Sequence, residues 1–319
     1  MERQDQVTGA CLVGGHGRSS LRLWLSSGCL RGDEGGPRGR QVEGKGSAAV
    51  TAHVPSDLSR RDWSAAVDTR DLFCFILAGG SGKRMLNKAG MSKHMQPVRV
   101  GNDVKPLLGF VIGNLEPLMN EIVVGTAYRA ATTEKYLRRN WPCVRTFRLP
   151  RVDDLGVNVV AVCTALTSEF VCFVYGDVLI SSPALGLLFE EVRSSHPSIE
   201  CPLVLLLERQ RPNPQRSTYD VEGRAVCSVR ACTSEDPWRY STLATVVHRS
   251  SLINLLEAQG APYPYHESAV TFTFWPVLAR RILRLGISVR AIVSPTPSFN
   301  VNTREDLEDA RRYLETHAA

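Results

Sequence analysis

The chain has 319 residues, 43% of them hydrophobic and 22% charged, which suits one large or two small globular domains and excludes a fibrous or wholly disordered protein. The net charge of +6 fits an anionic small-molecule substrate as easily as nucleic acid, and no apolar run approaches the length of a membrane span. The nine cysteines form no C-x-x-C pair and come with no histidine pair at finger spacing, which argues against zinc and for reduced thiols in a cytoplasmic protein.

Residues 1–70 are rich in Gly, Ser and Arg, contain GDEGGPRGR and hold few apolar residues after Leu30, so they read as a disordered or weakly ordered extension. Acids near Met1 and a broken apolar patch argue against a secretory signal. The cluster Val13-Gly14-Gly15-His16-Gly17-Arg18 resembles a phosphate loop but lacks a convincing strand before it and helix after it.

From Asp71 the pattern becomes regular, and residues 71–319 read as one domain. Phe73–Ala78 is an apolar run of strand length, broken by Gly79-Gly80-Ser81-Gly82 and followed by Lys83 and Arg84. Residues 105–119 place Leu107, Leu108, Val111, Ile112 and Leu115 on one helical face. Strands are predicted at 121–125, 143–149, 170–175, 203–208, 243–247 and 287–293, and helices at 132–139, 156–166, 249–258 and 274–285. Ser217–Val221 and Ala225–Val229 form a hairpin around Glu222-Gly223-Arg224. Thr303 caps a last helix with Glu305 and Asp306 in its first turn. Strands alternating with helices imply an α/β domain whose mixed, mainly parallel sheet carries helices on both faces.

Ligands of open α/β sheets bind beyond the carboxyl ends of the strands. The glycine loop follows one such end, Gly176-Asp177 a second, and Asn300 and Asn302 follow the last strand-like stretch, so three distant segments converge on one edge. Glycines let backbone N–H groups approach a phosphate, cations follow where its charge would sit, and a carboxylate facing phosphates calls for Mg²⁺.

These stretches carry a specific resemblance. ILAGGSGKRM is similar to the opening motif of the nucleotidyltransferases that make NDP-sugars, a group that includes sugar-1-phosphate nucleotidylyltransferases and molybdenum-cofactor guanylyltransferase-like (MobA-like) proteins. SKHMQPV at 92–98 resembles their second motif, a lysine followed four positions later by proline. KPLLGFVIGNL resembles the helix that comes next, LGVNVVAVCTAL at 155–166 the segment that closes over the base, VYGDVLI the metal-aspartate motif, and FNVNTREDLEDA the final motif. The order holds from about Asp71 to His317.

The resemblance implies a Rossmann-like three-layer nucleotidyltransferase fold and transfer of NMP from an NTP to a phosphorylated acceptor, a sugar 1-phosphate, with pyrophosphate released. Leu77, Ala78, Gly79, Gly80 and Gly82 would hold the nucleotide, the glycines through backbone N–H groups. Arg84 would neutralise the leaving pyrophosphate, and Lys93, in preference to Lys88, would hold a phosphate. Asp177 would bind Mg²⁺ with Asn300, where many relatives carry an aspartate; Asn302 is the neighbouring candidate. Asn158 would contact base or acceptor. An acceptor-side insertion is expected at about 201–297, with no nucleic-acid or membrane partner; a homo-oligomer is compatible with the sequence. Departures are a long loop from Met85 to Ser92 and Val157 where smaller or hydroxyl residues commonly touch the base. The alternatives are a molybdenum-cofactor guanylyltransferase-like enzyme and a nucleotide-binding regulatory protein that has lost turnover.

Overall fold

Two apolar layers, one on each face of a single sheet, organise the domain. The computed structural model describes residues 72–80, 91–152, 154–195, 197–198, 200–258 and 274–317, all within one unit, Ala52–Ala319. The extension at 1–70 and the Gly14 cluster lie outside the described residues.

Strand β1 (Leu72–Ala78) is followed by a 3₁₀ turn at Lys93–Met95, the hairpin β2 (Pro97–Val100) and β3 (Asp103–Pro106), α1 (Leu107–Leu115), β4 (Ile122–Thr126), α2 (Ala130–Asn140), β5 (Arg145–Arg148), α3 (Leu155–Ala165) and β6 (Phe170–Tyr175). The chain continues with β7 (Val178–Leu179), α4 (Ser182–Ser195), β8 (Leu203–Gln210), β9 (Ser217–Glu222), β10 (Ala225–Ala231), β11 (Arg239–His248), α5 (Arg249–Ala258), α6 (Phe274–Arg284), β12 (Arg290–Val293), β13 (Phe299–Asn300) and α7 (Arg304–His317). Nine strands form one sheet in the order β5-β4-β1-β6-β11-β8-β12-β10-β9. The first four run parallel, β11 is antiparallel to β6 and to β8, and β12 returns parallel to β8.

The continuous apolar runs of the central strands follow from burial on both faces. Successive side chains of a strand point to opposite faces, so Leu72, Cys74 and Ile76 of β1 enter one core while Phe73 and Phe75 enter the other. In β6, Phe170, Cys172 and Val174 divide in the same way from Val171 and Phe173. Helices α1, α4 and α7 contribute Ile112, Leu188 and Ala310 to the first core. Helices α3, α5 and α6 contribute Val162, Leu252 and Trp275 to the second. The three-layer expectation is met.

Four elements, α1, α4, β8 and β11, differ from the sequence reading. The helix expected from residue 105 starts at Leu107, because Pro106 keeps Lys105 extended and ends the β2–β3 hairpin that turns at Gly101 (φ 57°). Helix α4 was not read, although Leu185, Leu188, Phe189 and Val192 carry a helical period and are buried. Strands β8 and β11 are longer than the runs at 203–208 and 243–247, with polar ends at Arg209-Gln210 and Arg239–Thr242.

Helix α4 also carries a fully buried carboxylate. Glu191 pairs with Arg290 Nε of β12 at 2.5 Å and with Arg224 Nη1 of the β9–β10 turn, tying both to the helix. Removing one partner of a buried ion pair leaves uncompensated charge, and the two arginines are partly solvated, which tempers the cost. Glu191→Ala is expected to lower stability by about 2–3 kcal/mol in urea denaturation; a change under about 0.5 kcal/mol would show that the pair is only a surface contact.

Candidate active site

The carboxyl ends of β1 and β6 meet closely. Gly176 N donates to Leu77 O (3.0 Å), and a Cβ on Gly176 would lie 3.0 Å from that of Ala78. A side chain there would push the two strand ends apart. Gly79 is similarly constrained: a Cβ would meet Leu149 Cδ1 at 2.7 Å and Ala127 Cβ at 3.1 Å. Leu77 and Ala78 therefore end β1 directly beside the turn that carries Asp177, and Gly80 is exposed beyond them. Gly82, Arg84 and Lys88 lie outside the described residues.

Asp177 is fixed from below. The two-stranded pairing of β7 with β13 sets Asn300 opposite Val178, and Val301 N donates to Asp177 O (3.0 Å). The final motif thus lies against the aspartate turn although more than a hundred residues separate them. Helix α7 begins at the same place with a reciprocal cap. Asp306 N donates to Thr303 Oγ1 (3.1 Å), while Thr303 N and Asn302 N donate to Asp306 Oδ2 (2.8 and 2.7 Å).

Lys93 enters this corner from the 3₁₀ turn. Its ammonium forms an ion pair with Asp177 Oδ2 and donates to Asn302 Oδ1 (3.0 Å). Asn302 Nδ2 in turn donates to Asn300 Oδ1 (2.9 Å) and Asn300 O (3.1 Å). The Lys93 side chain is only 11% exposed and that of Asp177 25%, so each meets a partly desolvated environment in which charge interactions are strong. Four expected site residues, Lys93, Asp177, Asn300 and Asn302, form one hydrogen-bonded chain.

Asn158 sits elsewhere. It is buried in α3, where its Nδ2 donates to Arg151 O (2.9 Å) and its Oδ1 accepts from Arg151 N (3.2 Å). Both ends of the carboxamide hold the backbone before α3, which is sufficient reason for a polar residue there. A base contact would require displacing those bonds.

The cleft at this corner has a volume of about 790 Å³. Lys93, Asp177, Asn300 and Asn302 line one part of it, and Glu208, Gln210, Arg216, Arg239 and Thr242, from strand ends and the β9–β10 hairpin region, line another. The arginines and Glu208 were absent from the sequence expectation. Their signal was the polar overhang of β8 and β11, which a search for apolar runs trims away.

His94, next to Lys93, was also missed. Its ring is buried, with Nε2 3.0 Å from Thr133 Oγ1 and 3.3 Å from Ser92 Oγ. Burial pushes its pKa down to about 4, with Asp177 opposing and Lys93 reinforcing the shift. A neutral imidazole thus anchors the turn that presents Lys93. The unfolded chain takes up a proton near the ordinary value of 6.5, whereas the folded imidazole resists protonation until about pH 4. This group's contribution is therefore complete above 6.5 and is lost as pH falls through that window. Between pH 7 and 5 the wild type should lose about 2 kcal/mol more unfolding free energy than His94→Gln; equal losses would mean the ring is solvated and titrates normally.

The fold is shared with solved nucleotidyltransferase structures. A Bacillus anthracis protein described as a glucose-1-phosphate thymidylyltransferase superposes with a TM-score of 0.60 at 14% identity, covering 76% of this chain and 95% of that one. The inositol-1-phosphate CTP transferase of T. maritima gives a TM-score of 0.58 at 14% identity, covering 78% and 96%. The UDP-glucose pyrophosphorylase of Acinetobacter baumanii gives 0.56 at 17%, covering 76% and 92%. Comparison with curated protein sequences found no match. A family model described as the MobA-like NTP transferase domain matches residues 74–235, a span that holds β1, the Lys93 turn and Asp177. The chain therefore belongs to the MobA-like NTP transferase domain family, and it is a nucleotidyltransferase.

Proposed function

We propose that the protein is a Mg²⁺-dependent enzyme that transfers NMP from an NTP to a phosphorylated small-molecule acceptor, a sugar 1-phosphate. The observation that carries this reading is the chain Asp177–Lys93–Asn302–Asn300 beside the carboxyl end of β1. A carboxylate, an ammonium and two carboxamides close to the end of β1 support a site for the triphosphate that the glycine loop would bind. The solved structures of similar fold bear names of enzymes for phosphorylated glucose or inositol, which supports an acceptor of that class.

In the reaction, an oxygen of the acceptor phosphate attacks the α-phosphorus of the NTP. The new O–P bond forms as the bond to the bridging oxygen breaks, and pyrophosphate leaves with that electron pair. No covalent enzyme intermediate is needed, so the protein acts by positioning and charge neutralisation. Lys93, oriented by Asp177 and Asn302, would hold a phosphate oxygen near the reacting centre. The backbone N–H groups of Gly79, Gly80 and Gly82 would cradle the triphosphate, beside Leu77 and Ala78. Arg84 would take up charge on the leaving pyrophosphate.

The donor set fits Mg²⁺. That ion prefers one or two carboxylates, substrate phosphates and retained water over an all-protein cage, and Asp177 with the Asn300 carboxamide meets this need. Among the described residues there is no cluster of three or more His, Cys, Asp or Glu side chains that would instead form such a cage. When bound, Mg²⁺ would neutralise phosphate charge and relieve repulsion between Asp177 and the nucleotide. No described helix is long and apolar enough to cross a membrane, and a cytosolic enzyme acting on soluble sugar phosphates is in keeping with this reading.

Incubating the protein with each NTP, Mg²⁺ and a panel of sugar 1-phosphates should release pyrophosphate with at least one pair. Asp177→Ala should lower turnover by about 100-fold or more while far-UV circular dichroism stays unchanged. Full activity in that variant would remove Asp177 from the metal site. Lys93→Gln should show a comparable loss; a rise in acceptor KM alone would reduce Lys93 to a binding contact.

A further inference from the structure

The second wall of the cleft carries positive charge that the proposed reaction does not use. Arg211 and Arg216 lie in the connection from β8 to β9, and Arg239 opens β11; all three line the cleft. Among the described residues none of the three forms an ion pair with a carboxylate. Arg239 is half-buried; one end of its guanidinium donates to Gln210 Oε1, while its buried Nε has no hydrogen-bond partner. Burial, and then the charge of Arg216, which lines the same cleft, depress the Arg239 pKa.

The nearby acid offsets this only in part: Glu208 opposes the shift, but by less than burial and Arg216 cause it. Both oxygens of Glu208 accept other hydrogen bonds, Oε1 from Ser298 N (2.9 Å) and Oε2 from Gln210 Nε2 (2.9 Å). The remaining carboxylates of the cleft, Asp177, Asp306 and Asp309, belong to the β6 turn and α7. Of these, Asp177 is paired with Lys93, and Asp306 caps α7. On this wall three arginines thus face one acid, Glu208, while the other acids lie on different elements. Two arginines that line one partly desolvated cleft without forming an ion pair are costly unless an anion joins them, and the planar guanidinium matches carboxylate and phosphate oxygens. The hydroxyls of Ser217, Tyr240, Ser241 and Thr242 line the same wall and suit a polyol.

We infer that the acceptor carries a second anionic group, a phosphate or carboxylate on a polyol, which binds at Arg216 and Arg239 while its reacting phosphate lies near Lys93. The inference rests on the nucleotidyltransferase reading for the reacting phosphate but assigns the β8–β9–β11 wall its own ligand. The arginine wall selects acceptors bearing charge at both ends, and a neutral hexose 1-phosphate leaves it without a counter-charge.

Calorimetric titration of the full chain with glucose 1-phosphate, glucose 1,6-bisphosphate and glucuronic acid 1-phosphate tests this, in wild type, Arg216→Gln and Arg239→Lys. Wild type should bind at least one doubly anionic ligand about ten-fold or more tighter than glucose 1-phosphate; the better one identifies phosphate or carboxylate. Arg216→Gln, which breaks no side-chain bond within the described residues, should bring that ratio close to 1, and Arg239→Lys should reduce it. Equal affinity for all three ligands, no binding of any, or a ratio unchanged in Arg216→Gln would overturn the inference. Pyrophosphate release with hexose 1-phosphates and no preference for a second charge would leave the reaction standing and remove only the second anion.

Discussion

The ion pair between Lys93 and Asp177 is the contact on which the candidate active site depends. Its two members come from the segments after β1 and after β6, and Asn302 ties it to a third segment more than a hundred residues further along. A lysine ammonium is a strongly hydrated point charge that needs partners once it is withdrawn from water. Here a carboxylate and a carboxamide supply them, so the ammonium is held at one place before any substrate arrives. The neutral His94 ring fastens the turn beneath it, and burial keeps that ring from adding a competing charge.

The fold brings these segments together because the strand order reverses at β1, with β4 and β5 on one side and β6 on the other. β1 lies between β4 and β6, all three parallel, and their carboxyl ends lie at one edge. Burial on both faces sets the registers: each central strand sends alternate side chains into two separate cores, and a slip by one residue would exchange them. The glycines at 79 and 176 then permit an approach that side chains would prevent. Glu191 performs a comparable task at the other side of the domain, where it joins α4 to β12 and to the turn of the hairpin.

Charge in the cleft is distributed by element. The wall built on β6, β13 and α7 is acidic, apart from the paired Lys93, and the wall built on β8, the hairpin connection and β11 carries three arginines and one acid, Glu208. Under the proposed function, such a distribution would give the two sides different tasks: cation-assisted handling of phosphates on one, and recognition of an anionic polyol on the other. Arg239 opens a strand, and Arg211 and Arg216 lie next to the strand ends in the short β8–β9 connection, which limits the entropy lost on binding.

Much of this was legible in the sequence. The apolar runs of β1 and β6 specified an α/β sheet, because burial on both faces demands apolar residues, and the resemblance of the Gly-rich break, the lysine–proline spacing and the Asp177 turn to nucleotidyltransferase motifs pointed to the family and to most of one hydrogen-bonded chain. The Thr303 cap was legible for the same reason: the orphan N–H groups of a helix start need side-chain oxygens. Other features had no local signature. The bonds of Asn158 to the backbone of Arg151 are not visible from its position, and His94 has no role until Thr133 is placed beside it. The arginine wall lies at and beside strand ends that are polar because they face a cleft, so an apolar periodicity stops short of them. Sequence by itself determined which elements form and which chemistry they can carry; only the tertiary structure decided which polar side chains satisfy each other and which are left facing a ligand, because that depends on partners distant in the chain.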